Sequence, residues 1–508
     1  MIIIDSVALG DVACTRASPK WVFDRNGTLV QVQPNTLAVT YDPQDLNQAP
    51  YALVDLAAAT NFVSYSSLRE SSGVYAILGP SVVDGGVIAG STGPDGVAGA
   101  RRFTVSNPDG LSTVRFGDTT AGTPGTAYFG SIFVRTPDGV ARTLNVDCCD
   151  GAVQVIQVTG AWQRVRANST PSNPMTYRFL DIQFGSSGDY EVFGAQISDR
   201  DSEYIPNSTN GPVTRAADVI ASGAGLVYSN VAINEQPYSA ATSYAKDAVV
   251  YDPVTHLTYK SVVAANVGNA LSDSTKWTKG DVINRWKMLD QYNNTQTSNL
   301  DEILLVVSPE VISQGFYLGN MDAGEVRASV VDLYEGMVYR EVQNLVVSTS
   351  GSSFFNWCFR RIRKKSYAVS VLMPVYARAL ITISIRKIGA TPKCGMCAIG
   401  PVVDVGLSEW GISTEIKDYS TTTFQFDGTS DTQLRGFSRR MSVDVEVDND
   451  QKDVVEETLA QFRQKPVAWI GTVLWGSACL FGRYSSFKSV LPNVRKSKIS
   501  LQIEGTVQ

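Results

Sequence analysis

Four aromatic rings stand close together in the middle of the chain: Tyr244, Tyr251, Tyr259 and Trp277, all within 34 positions. Sugars present apolar C–H faces that stack on flat rings, while flanking polar groups satisfy the hydroxyls. This density of rings points to glycan binding, with these four as the candidate binding residues. A small module also needs rings for its own core, so a binding surface requires at least two of them exposed. Tyr128, Trp162, Tyr190 and Phe193 lie in strand-like text earlier in the chain, where a core role is the simpler one.

Catalytic chemistry finds little support. The one histidine, His256, closes the turn-like run Asp252-Pro-Val-Thr-His256. A hydrolytic triad needs a histidine held by a carboxylate beside a nucleophile, and a loop tip supplies neither. No G-x-G-x-x-G or P-loop pattern is present, and no histidine pair could hold a catalytic zinc. A carboxylate pair for glycan cleavage meets in space rather than in sequence, which leaves a glycan depolymerase open as an alternative. Among seven cysteines, Cys148-Cys149 are adjacent and Cys394 and Cys397 form C-x-x-C without the second pair a zinc site needs. They read as buried thiols. Neither a cofactor nor a metal is expected.

Arg360, Arg361, Arg363, Lys364 and Lys365 make the one dense cationic run, with Arg439-Arg440 as a smaller cluster. The net charge of −6 gives no global reason to bind nucleic acid. The run reads as half of a charged subunit contact, to which a loop such as Asp448-Asn-Asp450 on a neighbour would be complementary. No stretch reaches the ~18 consecutive apolar residues of a spanning helix. Met1-Ile-Ile-Ile-Asp5 lacks the pattern of a secretory signal.

Several β domains must position these residues. At 508 residues the chain exceeds what one core serves, so about three or four domains are expected. The 42 glycines and 21 prolines, in Thr/Ser/Val-rich text, suggest many short strands. Residues 127–134, 153–158, 163–166 and 190–193 read as strands separated by turns at 137–139, 147–151 and 186–188, as in a jelly roll or similar sandwich. Met441-Ser-Val-Asp-Val-Glu-Val447 alternates with the period of a half-buried strand. Asp448 to Asp450 offers N-cap oxygens, and Val455, Leu459 and Phe462 form one apolar stripe of a helix that Lys465-Pro466 stops. Strands follow at Val467–Ile470, Ala478–Val490 and Ile499–Ile503. The strands at 443–447 and 499–503 would present open edges, which a closed ring of subunits covers.

Ordered motifs carry a resemblance. Thr15-Arg-Ala-Ser18, Gly130-Ser-Ile-Phe-Val134, Trp162-Gln-Arg-Val165, Phe193-Gly-Ala-Gln196 and Pro212-Val-Thr-Arg-Ala-Ala-Asp218 resemble the leader and carbohydrate-binding jelly roll of bacteriophage tail proteins. Tyr244, Asp247, Val249, Tyr251, Tyr259, Gly268 and Trp277 resemble the layout of small chitin-binding-type modules, with Lys246 where that pattern has glycine. Arg285-Trp-Lys-Met-Leu-Asp290, Arg435-Gly-Phe-Ser438, Pro466-Val-Ala-Trp-Ile470, Phe481-Gly-Arg-Tyr484 and Ser500-Leu-Gln-Ile-Glu-Gly505 resemble the C-terminal module of the same tail proteins. The resemblance implies a mainly β, multi-domain chain: an N-terminal leader hairpin (1–61), a jelly-roll β-sandwich (62–218), a linker (219–237), a chitin-binding-like module (238–280), and a C-terminal β-sandwich with one α-helix (281–508). It implies a virion structural protein, assembled in the host cytoplasm. The C-terminal domain would attach to other tail proteins and to copies of itself in a symmetric ring, and the modules would touch host surface glycan. A purely architectural sheath, adaptor or baseplate protein is the alternative within the same family.

Overall fold

The computed structural model describes the chain outside residues 71–74, 109, 111, 118–119, 348–353, 355–362, 425, 427, 493 and 508. The chain is mainly β and multi-sheeted, with one α-helix, Lys452–Gln461, among the described residues. It divides into two compact units, residues 13–221 and residues 222–508 together with 1–12.

The unit at 13–221 is a two-sheet β-sandwich. One sheet runs, in spatial order, Val82–Thr92, Ala98–Val105, Gly188–Ser198, Tyr128–Arg135, Gln163–Ser169. The facing sheet runs Gln154–Val158, Arg142–Cys148, Phe179–Phe184, Thr113–Gly117, Tyr75–Ile77. Alternation decides what each strand buries. Leu144, Val146, Val114 and Phe116 point in from one sheet, and Ile132, Val134, Val165, Tyr190 and Val192 from the other. The strands expected from the sequence are found close to their expected positions. Trp162 differs: it is half-buried on the outer face, its indole N–H donating to the Thr92 carbonyl at 3.1 Å, with Arg135 over its ring at 4.8 Å.

The leader hairpin, Lys20–Phe23 with Leu29–Val32, lays Phe23 and Leu29 against Phe133, Phe193 and Tyr204 on that outer face. Its cations close the unit. Arg16 lies 2.7 Å from Asp218, and Lys20 lies 2.8 Å from Asp218 and 2.5 Å from Asp55. The TRAS and VTRAAD motifs are therefore the two halves of one buried ionic clasp. Beside it the Ala221 amide donates to the Ala13 carbonyl at 2.9 Å, so the chain enters and leaves this unit at one place.

The second unit contains three larger sheets. A six-stranded sheet runs Gly10–Asp11, Gly225–Ser229, Glu302–Ser308, Ala379–Arg386, Glu325–Asp332, Gly336–Asn344, and packs on a four-stranded one, Thr297–Ser298, Lys393–Gly400, Gly315–Asp322, Ala368–Ser370. An eight-stranded sheet begins Val402–Asp404, Ile2–Ile4, Val467–Ile470, Cys479–Val490, Lys496–Gly505, Phe437–Asp448. The period of two sorts its residues. Ile3, Val467, Trp469 and Leu480 face the helix residues Val455, Leu459 and Phe462. Ile4, Ala468, Ile470 and Phe481 meet Tyr317, Met396 and Ala398 of the four-stranded sheet.

Several expectations are corrected. The leader expected over 1–61 divides after residue 12, because Ile2–Ile4 pairs with Val467–Ile470 and Val402–Asp404. The stretch 219–237 is not a free linker: Gly225–Ser229 pairs with Glu302–Ser308, and Val231 is buried. Phe437–Asp448 and Lys496–Gly505 are interior strands of the eight-stranded sheet, so their edges are paired within the chain, and their apolar residues lie in the core with the helix. Asp448 to Asp450 supply no side-chain cap; a 3-10 turn, Asn449–Gln451, leads into the helix, and Asn449 accepts from Ser497 instead. The module expected over 238–280 is part of a four-stranded sheet that runs from Gln236–Pro237 to Trp277–Val282, and its turn, lacking glycine, places Asp247 at φ 67°. It leans on its neighbour through Tyr251, which packs against the core between the six- and four-stranded sheets.

Candidate functional site

The four rings chosen from the sequence are not a platform. Trp277 is 2% exposed and Tyr244 5%, packed edge to face at 5.5 Å around Val250. Their polar tips are also taken: the Trp277 indole donates to the Asn269 carbonyl, and the Tyr244 hydroxyl accepts from the Ser239 amide. A segment of 43 residues without a disulfide has little else to fill its centre. Glycan binding by Tyr244 and Trp277 is thereby corrected to a core role. Tyr259 is half-buried on the same cluster and Tyr251 half-buried against the larger core, so each keeps part of a ring outward.

His256 does sit in a turn, at φ 58°, but its side chain is not at a loop tip. It is stacked on Trp286 at 4.0 Å and 7°, with Nε2 at 3.7 Å from Asp11. Burial holds the imidazole below its ordinary value, against the pull of Asp11 and Asp252. Asp290, on the same cleft, is pushed up by burial to about 6. Burial likewise raises the Cys394 thiol to about 12, and Cys397 is buried in the same core.

Of the cationic run, Arg360 and Arg361 lie outside the described residues. Arg363–Lys364 forms a short strand paired with Val346–Val347. Lys364 reaches Asp322 of its own chain at 3.5 Å, and Lys365 is exposed. Arg440 reaches Glu504 at 3.4 Å, and Asp448 takes Lys496 at 3.1 Å. Lys364 and Asp448, expected to face neighbouring copies, thus each have an ionic partner within their own chain.

A polar cleft of about 310 Å³ opens instead on the sandwich. Three strands make it. In Gln163–Ser169 the core takes Val165 and Ala167, which leaves Arg166 and Asn168 outward; Tyr128–Arg135 supplies Phe129 and Ser131, and Gly188–Ser198 supplies Gln196 and Ser198. Gln154, Asp201 and Ser202 complete the wall. Arg166, Asp201 and Gln196 are held before any ligand arrives. Arg166 is fixed by Asp201 and Glu203, each at 3.0 Å. Gln196 donates to Ser202 at 3.1 Å and accepts from the Ile205 amide at 2.7 Å. Behind them the buried Arg164, pulled down to about 10 by burial, binds Glu203 at 2.6 Å. Burial works to raise Glu203, but Arg164 and Arg166 outweigh it and keep it below the ordinary carboxylate range.

One half-buried ring beside amides, a guanidinium, a carboxylate and hydroxyls can stack one sugar face and pair with its hydroxyls. The size suits a small ligand or one unit of a longer chain. Gln196 falls within the motif Phe193-Gly-Ala-Gln196, but nothing in that motif marks the cleft. The signal was present in the polar positions of Gln163-Arg-Val-Arg-Ala-Asn168, which alternate with its core positions.

No family model and no curated protein matches the chain. Among solved structures it is similar to the CBM22-1–GH10 modules of Clostridium thermocellum endo-1,4-beta-D-xylanase 10B complexed with xylohexaose, at 15% identity and a TM-score of 0.20, covering 28% of each chain. It is similar to a tandem CBM22 domain from Paenibacillus barcinonensis at 10% identity and a TM-score of 0.22, covering 67% of this chain and 96% of that one. A carbohydrate binding module of Cellvibrio mixtus lichenase 5A, in complex with cellotriose, matches at 11% identity and a TM-score of 0.17, covering 28% of this chain and 96% of that one. At such scores none of them assigns a ligand to this chain.

Proposed function

We propose that the chain is a glycan-binding structural protein of a bacteriophage tail, and that its sandwich is the part that touches glycan. The observation that carries the binding is the cleft of Phe129, Arg166, Asn168, Gln196 and Asp201, lined from three adjacent strands, in which Arg166 and Gln196 are fixed by Asp201, Ser202, Glu203 and the Ile205 amide from the segment that follows Ser198. Preorganised polar groups around a ring lose little freedom when a sugar binds, which is where weak polar sites usually fail. The tail assignment rests on the ordered motifs, two of which, TRAS and VTRAAD, meet in the clasp at Arg16 and Asp218. The protein acts by binding and not by cleavage, in the host cytoplasm during assembly and on the particle afterwards.

The test is retention of the full chain on a panel of immobilised bacterial surface polysaccharides, with reducing ends measured in the same incubation. Retention on at least one, without sustained release of reducing ends, is the expected result. Retention on none would overturn the binding, and sustained release by homogeneous protein would turn the reading to a depolymerase. Absence of the chain from purified particles would overturn the tail assignment alone.

A further inference from the structure

Two apolar features of the second unit have no cover among the described residues. One is a groove of about 600 Å³ beside the eight-stranded sheet, walled by Trp410, Trp475, Leu407 and Leu474. Trp410 is 89% exposed and Trp475 54%, with ring centroids 6.2 Å apart at 63°. Rings set at that angle make no flat platform, and the exposed leucines add nothing to sugar stacking, so the lining suits a protein surface. The other feature is an arm. Ser413–Asp418 lies on Phe437–Asp448 at the sheet margin, and the chain then leaves it as a hairpin, Thr421–Phe424 with Ser430–Gln433. All eight hairpin residues are exposed, and among the described residues the hairpin pairs with no other strand. Phe424, Phe426 and Leu434 are all more than three-quarters exposed.

An isolated two-stranded hairpin is marginal in water, and two exposed phenylalanines add to its cost. The exposures of Phe426 and Trp410 show that the arm does not fill the groove of its own chain. We infer that the arm of one copy, through Phe424 and Phe426, seats in the Trp410–Trp475 groove of a second copy. The four rings alone present on the order of 500–800 Å², at 150–250 Å² for a fully covered ring, and the leucines bring the contact near the ~1,000 Å² of a specific interface. Arm and groove are unlike surfaces, so each docked copy still offers one of each; such contacts close into rings or continue as filaments. The contact goes beyond the glycan reading and stands without it.

The test uses the full chain, by analytical ultracentrifugation over a wide concentration range. Wild type is expected to form dimers and larger species. An arm variant (Phe424→Ser with Phe426→Ser) and a groove variant (Trp410→Ser with Trp475→Ser) should each sediment as monomers. All four side chains are outside the core, so both variants should melt with the wild type. Mixed together, the two should form a dimer, since the intact groove of one meets the intact arm of the other. A monomeric wild type, variants that assemble unchanged, or a mixture without dimer would each overturn the inference. If only the groove variant loses assembly, the occupant is a different segment and the arm assignment fails.

Discussion

At the scale of residues, charge is buried where the chain must be tied. Arg16, Lys20 and Asp218 have fully buried side chains, an arrangement that holds only while each charge keeps its partner. Asp218→Asn leaves Arg16, Lys20 and Arg215 with Asp55 alone, and should destabilise the 13–221 unit by about 3–5 kcal/mol in denaturant unfolding. Burial works to raise the Asp218 carboxyl, but Lys20 and Arg16 outweigh it and hold it below its ordinary value. A depressed carboxylate contributes its stability above the unfolded pKa of about 3.9 and loses it as pH falls through the folded one. Acid should therefore loosen this unit below about pH 4, and the wild-type excess over Asp218→Asn should shrink there. An acid-independent difference would count against the clasp.

At the scale of elements, alternation was legible and distance was not. The strands at 128–135, 154–158 and 437–448, and the stripe Val455, Leu459 and Phe462, could be read because a local period states which side is buried. Ile2–Ile4 could not, since its partners at 467–470 and 402–404 lie some 400 positions away and nothing local names them. Nor could the roles of Tyr244 and Trp277, because ring density is the same signal for a small core and for a platform. The arm is not legible either, because its Thr/Ser text reads as a loop and only exposure marks it. Ile3 lies fully buried between sheet and helix. Ile3→Ala should cost about 2–5 kcal/mol in the unfolding of the second unit while leaving the 13–221 transition in place. Equal shifts in both transitions would contradict the assignment of residues 1–12.

At the scale of the whole molecule, the sandwich is an insertion. Ala13 and Ala221 adjoin, while Val12 and Leu226 are hydrogen-bonded at 3.0 Å within the other unit. Joining Val12 to Ser222 through a short Gly/Ser bridge should therefore yield a folded, soluble second unit, and residues 13–221 should fold alone, each melting near its transition in the full chain. A chain ended at 280 should aggregate, because Ile2–Ile4 and Gly225–Ser229 lose their partner strands. The division of labour proposed for the protein follows from this layout: a cleft on the inserted sandwich, and an arm and groove on the unit that carries it. The measurement that tests its centre is calorimetric titration of the full chain with the polysaccharide that retains it best. Removing two polar partners by Asn168→Ala with Asp201→Ala should weaken binding about tenfold or more, at about 1.4 kcal/mol per tenfold. Tyr251→Ala with Tyr259→Ala should leave the affinity within about twofold of wild type, a shift of about 0.4 kcal/mol. Unchanged affinity in the cleft variant, with loss in the ring variant, would contradict the account.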